Sequence, residues 1–477
     1  MILRHAAIYI GSRVFAAALN LLSVALFARL AGPEVFGAYL LYLASSYIIY
    51  GFAIQWLRMS FFAVYTTDNS LSIVGTFIRT VCLVVCLLAV IAALIVWAGI
   101  YSGAVVAGTL LPTIGLAVFE TFYEISRARL KVELVGFAVL LRALFVPLGG
   151  AIAFELTGNA VGLAAGVAAA HILAAIPLIR EGWSGIRARY SAGIARQYLK
   201  YGSPLILAFG INAVGQSGDR LLLARLDSVG AVGPYGAVGD LIKQSLVVVS
   251  EAVAGSYMPH AKRAASGGDD AQTQSILIEA FRAYAFITAF GSAFILCFAP
   301  DVVHILFGAH YADAADSLVP YFTLATALYV FRAFYFGQAI YFLESSSAEL
   351  YASTGTVVAG AITALLLIPR YGATGAAFAT LAAQAAGCLI AALAARRWRA
   401  MPFPLLDLCG IAGVAIVAAF LADATGLLPV GYLTSMALKF GLISLGACLI
   451  VKAYDIFGLG IWMQKLAVRK LAALGEA

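Results

Sequence analysis

An arginine or a carboxylate inside a hydrocarbon-like stretch is costly unless it faces water or a partner, and this chain places several there. Arg13 shares a helical stripe with Tyr9 and Asn20. Asn212, Gln216, Asp219 and Arg220 recur at i, i+4, i+7 and i+8 in a second apolar run, and Asp240, Lys243, Gln244, Val247 and Glu251 line one face of a third. Arg142 and Arg332 lie mid-run in two others. Guanidinium forks match the paired oxygens of phosphates, so Arg13, Asn20, Arg142, Gln216, Arg220, Lys243 and Arg332 are candidates for holding an anionic substrate. Asp219, Asp240 and Glu251 are candidates for gating or for carrying a coupling ion. A plainer arrangement fits the same residues: Asp219 paired with Arg220 or a neighbour, and Asp240 with Lys243, each mainly holding helices together. Arg142 could instead snorkel toward the inner surface.

Other chemistries find less support. Cys82 and Cys86 share a helix face, but no further Cys or His stands at ligand spacing, so no metal is expected. Cys297, Cys388, Cys409 and Cys448 are isolated in apolar runs, as small core residues are. GAVGPYGAVGD and RYGATGAA lack the strand and lysine of a phosphate loop and fit close helix crossings better. No cofactor is expected, and no enzymatic activity.

The elements that must position these groups are membrane helices. Hydrophobic residues make up 63% of the 477 residues, charged residues 11%, and mean hydropathy is +0.98, which excludes a soluble domain. The apolar runs are long enough to cross roughly 30 Å of hydrocarbon as helices, and they lack the alternation of a barrel strand. Fourteen segments are predicted: 5–28, 36–57, 75–98, 102–124, 134–154, 159–179, 199–224, 231–257, 283–299, 316–342, 349–368, 373–395, 405–422 and 431–453. A second apolar segment, not a cleavage site, follows the first, so no cleavable signal is expected.

Basic residues cluster at the N-terminus, after even-numbered segments and at the tail, leaving Arg29, Arg225 and Arg370 in the opposite loops. This bias predicts cytoplasmic termini and accounts for the net charge of +7 without nucleic acid. Two hydrophilic stretches, 180–200 and 260–282, are expected in the cytoplasm, and residues 454–477 suit either an interfacial helix on the inner leaflet or a solvated tail.

The chain echoes itself. ARLAGPEVFGAY at 28–39 returns as ARLDSVGAVGPY at 224–235, an offset of 196 that lays Arg29 on Arg225, Gly37 on Gly233 and Tyr39 on Tyr235. A second echo, 160–166 on 373–379, lays Gly162 on Gly375 and His171 on Gln384 at an offset of 213. Two parallel repeats follow: an N-terminal lobe at 1–182, a linker at 183–198, a C-terminal lobe at 199–398, two further helices in 399–453, and the tail.

ARLAGPEVFGAYLL, GDRLLLARL and LLLIPRYGATGAAFATL, in that order, resemble the polysaccharide transporter (Wzx-type oligosaccharide flippase) branch of the multidrug/oligosaccharidyl-lipid/polysaccharide superfamily. The resemblance covers nearly the whole chain. It implies two six-helix lobes forming a V around a central cavity, in a bacterial inner membrane. It further implies outward movement of a polyprenyl (undecaprenyl) diphosphate-linked oligosaccharide by alternating access, for O-antigen, capsule or exopolysaccharide synthesis. A monomer is expected, in the lipid bilayer, with the glycan polymerase and glycosyltransferases of the same pathway as partners. Two alternatives stand beside it. A drug or cation antiporter of the same superfamily would want an acidic cavity, and a membrane glycan polymerase or glycosyltransferase would want a large outer loop, for which the short loops leave no room.

Overall fold

The computed structural model describes residues 2–66, 70–186, 190–341, 347–397, 401–427, 429 and 431–456, with side chains from residue 17 onward except 184–186, 340, 341, 347, 348, 396, 397 and 427. The side chains of Arg13 and Tyr9, and the interfacial helix considered beyond residue 456, therefore lie outside the described residues. Every regular element described is helical.

The first two helices run together over Ile2–Tyr50 but part at Gly32, whose φ of 70° and ψ of 170° leave the helical region. Pro33 follows it, and a proline both lacks an N–H and pushes the preceding residue out of helical geometry. We number these α1 (2–31) and α2 (33–64); α2 carries one wide π turn at Gly51–Gln55. Then come α3 (Ser70–Trp97), α4 (Gly103–Ala128), α5 (Val132–Thr157), α6 (Ala160–Ile186), α7 (Ala192–Leu226), α8 (Val229–Ser266) and α9 (Asp270–Phe307). In α10 (309–341), Ala309–Val330 is followed by a π turn at Phe331–Tyr335 and a 3-10 turn. Ser347–Arg397 breaks at Gly372 (φ 54°) into α11 (347–371) and α12 (373–397). The last two are α13 (Leu405–Ala424) and α14 (Tyr432–Tyr454).

Among the described residues, fourteen helices match the fourteen predicted segments. Ten stretches there are long and apolar enough to span a bilayer by length and composition; two of them, Ala17–Val64 and Glu349–Ala395, hold two helices each. The two helices outside that count, α7 and α8, are the ones whose polar stripes lower their hydropathy.

Boundaries differ where polar residues continue a helix. The stretch 260–282 is expected as a hydrophilic connection, yet α8 runs to Ser266 and α9 starts at Asp270. The turn between them is closed by Gly268 in the left-handed region and by Asp269, whose Oδ1 accepts from the Gln272 amide at 2.8 Å. Likewise α9 passes through Pro300 to Phe307, shortening the expected outer loop. Side-chain caps make the other turns short: Ser102 on Val105, Asn159 on Gly162 and Ser191 on Ile194.

The helices pack as two compact units. The first comprises Met1–Asp240, Leu306–Tyr311 and Gly360–Ala376; the second comprises Leu241–Ile305, Ala312–Ala359 and Ala377–Ala477. In the first, Phe61 stacks on Phe77 at 4.4 Å, and the Tyr198 hydroxyl donates to the Ile73 carbonyl, tying α7 to α2 and α3. In the second, Phe281 and Tyr284 pack on Tyr335, while Arg282 bonds Asp407 at 2.7 Å and Tyr432 bonds Asp301 at 2.8 Å, pinning α13 to the first half of α9 and α14 to its last turns.

The two copies of the echoed motif meet in the first unit. A Cβ on Gly37 would strike the Val229 carbonyl, and one on Gly233 would lie 2.5 Å from the Pro33 carbonyl. Residues 33 and 37 correspond to 229 and 233 at the same offset of 196, so the contact is reciprocal. Only glycine allows backbones this close.

Candidate functional site

In the first unit, α2, α4 and α5 bring five charged groups together. The Arg58 guanidinium lies 2.8 Å from Glu120 Oε2 and donates to Glu124 Oε1 at 2.6 Å. Its other terminal nitrogen donates to the Tyr50 hydroxyl at 3.2 Å and to Gln55 Oε1 at 3.1 Å. Arg142 reaches Glu120 Oε1 at 3.2 Å and lies 4.6 Å over the Phe119 ring, while Arg127 Nε is 3.1 Å from Glu124 Oε2. Glu120 and Glu124 stand four residues apart on one face of α4, and the π turn of α2 ends at Gln55, just before Arg58. His171 on α6 bonds the Val167 carbonyl through Nδ1 and packs edge-on against Phe119.

A second group in this unit joins α7 to the start of α8. Arg220 pairs with Asp240, and the Tyr235 hydroxyl donates to Asp219 Oδ2 at 2.6 Å. The tyrosine of the second motif copy thereby orients the carboxylate that precedes the paired arginine.

In the second unit, Arg332 is almost fully buried in the π turn of α10. It donates to Glu349 Oε1 at 3.1 Å and to Ser353 Oγ at 2.9 Å, both on α11, and Ser353 in turn donates to Glu349. Gly387 on α12 closes over it: a Cβ there would lie 3.0 Å from Arg332 Cδ and would overlap Thr356 Oγ1. Lys243 on α8 sits 5.3 Å over the Tyr329 ring, three residues before Arg332.

Of the sequence candidates, Arg142, Arg220 and Arg332 each have a carboxylate partner, Asp240 is the partner of Arg220, and Lys243 stands on an aromatic face. Asn20, Gln216 and Glu251 are exposed, and Arg142 is held by Glu120. The sequence reading missed Glu120, Glu124 and Glu349 altogether, and Arg58 and Arg127 fell among the basic residues that follow even-numbered segments. A signal was present: Glu120 and Glu124 lie four apart within the segment 102–124, at the same end of the membrane as Arg58.

No family model and no curated protein sequence matches the chain. Solved structures do. A structure of the lipid II flippase MurJ in an inward closed conformation aligns with a TM-score of 0.75 at 13% identity, covering 94% of this chain and 99% of that one. The two share a fold. An inward-facing multidrug resistance transporter of the MATE family, in the MOP superfamily, aligns at 0.54 and 14% identity over 82% of this chain and 94% of its own. A MOP superfamily transporter from Pyrococcus furiosus, noted for the reverse polarity of its binding pocket, aligns at 0.53 and 12% identity over 83% and 95%. At such identities the likeness speaks for fold alone, and it agrees with the all-α, multi-pass membrane architecture expected from the sequence.

Proposed function

We propose that the chain is an inner-membrane flippase that moves a polyprenyl-diphosphate-linked oligosaccharide from the cytoplasmic to the outer leaflet by alternating access. The observation that carries this reading is the state of its intramembrane arginines. Arg142 and Arg332 lie in apolar helices and Arg220 in the polar stripe of α7, each against a carboxylate that keeps some exposure, 15% for Glu120, 31% for Asp240 and 40% for Glu349. A guanidinium held this way is already ordered, and the oxygens of a diphosphate can take the place of the carboxylate. That a structural neighbour aligned over 94% of the chain is a lipid II flippase supports the same direction of reading. Arg13, Asn20, Gln216 and Lys243 complete the proposed path, with Asp219, Asp240 and Glu251 as its gating or ion-coupling carboxylates.

The test is transfer of a fluorescent polyprenyl-diphosphate oligosaccharide between leaflets of proteoliposomes. Transfer is expected with the native chain and is expected to be lost with Arg142→Ala and Arg332→Ala variants that still insert. No transfer by well-inserted native protein would overturn the reading.

One observation favours a second reading, an antiporter of cationic compounds. The surplus of arginine in the sequence is partly cancelled in the fold, because Glu120, Glu124, Asp240 and Glu349 stand against the arginines. Uptake of a lipophilic cation by the same vesicles under an opposing proton or sodium gradient would favour the antiporter.

A further inference from the structure

Four oxygens surround the Arg58 guanidinium. Glu120 Oε2, Glu124 Oε1, the Tyr50 hydroxyl and Gln55 Oε1 converge on one guanidinium at 2.6 to 3.2 Å, two contributed by α2 and two by α4. The remaining carboxylate oxygens look elsewhere: Glu120 Oε1 to Arg142 and Glu124 Oε2 to Arg127. Removing Arg58 would therefore leave four hard oxygens, two of them anionic, facing one vacated space. Glu124 is only 2% exposed and Arg58 12%, so water could replace the charge only poorly. Carboxylate, carbonyl and hydroxyl oxygens are the donor set for alkali and alkaline-earth cations, and the spacing already suits a planar guanidinium.

We propose that Arg58 is a resident, tethered cation occupying a site between α2 and α4 that would otherwise bind a free one. An exchangeable cation at such a place would join the two helices only while bound. A side-chain cation joins them permanently and needs no ion from solution. This holds whatever the transported substrate is, and binding rather than transport reads it out.

The experiment is thermal unfolding of the purified, detergent-solubilised chain, native and Arg58→Ala, titrated with methylguanidinium chloride or sodium chloride against tetramethylammonium chloride at matched ionic strength. The expected result for Arg58→Ala is a melting temperature lower by about 5 °C. Millimolar methylguanidinium, or sodium, should restore it, and tetramethylammonium should not. The native protein should respond to none of them. Adding Glu124→Gln to Arg58→Ala should weaken the restoration at least several-fold in concentration. Should Arg58→Ala fail to fold, Arg58→Ala with Glu124→Gln should fold, because Glu120 keeps its pair with Arg142 and the released Arg127 is more than a third exposed, and should show only the weakened cation response. An Arg58→Ala protein as stable as the native one, one that ignores both cations, or a double variant that also fails to fold would overturn the proposal. So would a native protein stabilised by them to the same extent.

Discussion

Arg332 shows how a single buried charge is held. Its guanidinium bonds Glu349 and Ser353, but among the described residues its Nε has no hydrogen-bond partner, and neither does Gln384 Oε1 one turn before Gly387 on α12. The arginine is thus fixed from α11 by polar contacts and from α12 only by the absence of a side chain. Gly387→Ala should displace it without touching any charge. Under the proposed function, transfer of the lipid-linked oligosaccharide in proteoliposomes is expected to fall about tenfold or more, the loss of one charge-assisted contact of roughly 1.5–3 kcal/mol. Combining it with Thr356→Ala, which removes the overlapping hydroxyl, should return part of the activity. Transfer unchanged by Gly387→Ala would mean that the placement of Arg332 does not matter. At this scale the sequence was only half legible. An arginine in an apolar run announces itself, whereas its counter-ion can sit at any position on any helix. Glu349 lies at the very start of its predicted segment, where a carboxylate attracts no notice, and Glu120 pairs with a residue twenty-two positions away.

At the scale of helices, reciprocal packing of the echoed motifs sets the position of α2 against α8. Gly37→Leu and Gly233→Leu should each destabilise the protein by about 1–3 kcal/mol through overpacking, seen as a lower melting temperature in detergent. Because the two glycines occupy equivalent places, the two losses should be similar, and a large effect at one with none at the other would show the contact to be one-sided. Arg29 illustrates how an element explains a residue. It is one of the few basic residues on the outer side by the charge count, and its Nε donates to the Leu306 carbonyl in the last turn of α9 at 2.8 Å. The end of a helix is where an unsatisfied carbonyl attracts a cation. Helix existence and order were readable from hydropathy because a bilayer imposes length. The helical ends of α8 and α9 were not, since outside the membrane a polar helix and a polar loop look alike in composition.

At the scale of the molecule, orientation and driving force are the open quantities that the residues address. Reporter fusions after Lys262 should be cytoplasmic, and fusions near Glu34, Ser228 and Asp313 should be outside. Lys262 and Ser228 on the same side would break the fourteen-helix order at its middle. A diphosphate-linked lipid leaving a cell with a negative interior moves anionic charge downhill by about 2.3 kcal/mol per charge per 100 mV. Under the proposed function, proteoliposome transfer at fixed pH is therefore expected to rise with an imposed potential of that sign. Transfer indifferent to potential but abolished without a proton or sodium gradient would mean that antiport powers the cycle. The paired state of the arginines bears on this, because a counter-ion that remains in the protein when the substrate leaves does not cross the field with it.

The contact between Gly37 with Val229 and Gly233 with Pro33 has one more implication. Residue i of one motif touches residue j of the other, and j touches i, which is the form of an isologous interface across a local dyad. Two separate, identical chains of half this length would meet in that way, and in such a homodimer every substitution would count twice. Within one chain that restriction is absent. Glu120 and Arg142 now stand on α4 and α5 where Arg332 and Ser353 stand on α10 and α11, at offsets of 212 and 211, close to the 213 that relates His171 to Gln384. The two sequence copies are alike at the glycines where they touch and differ in charge at these corresponding positions.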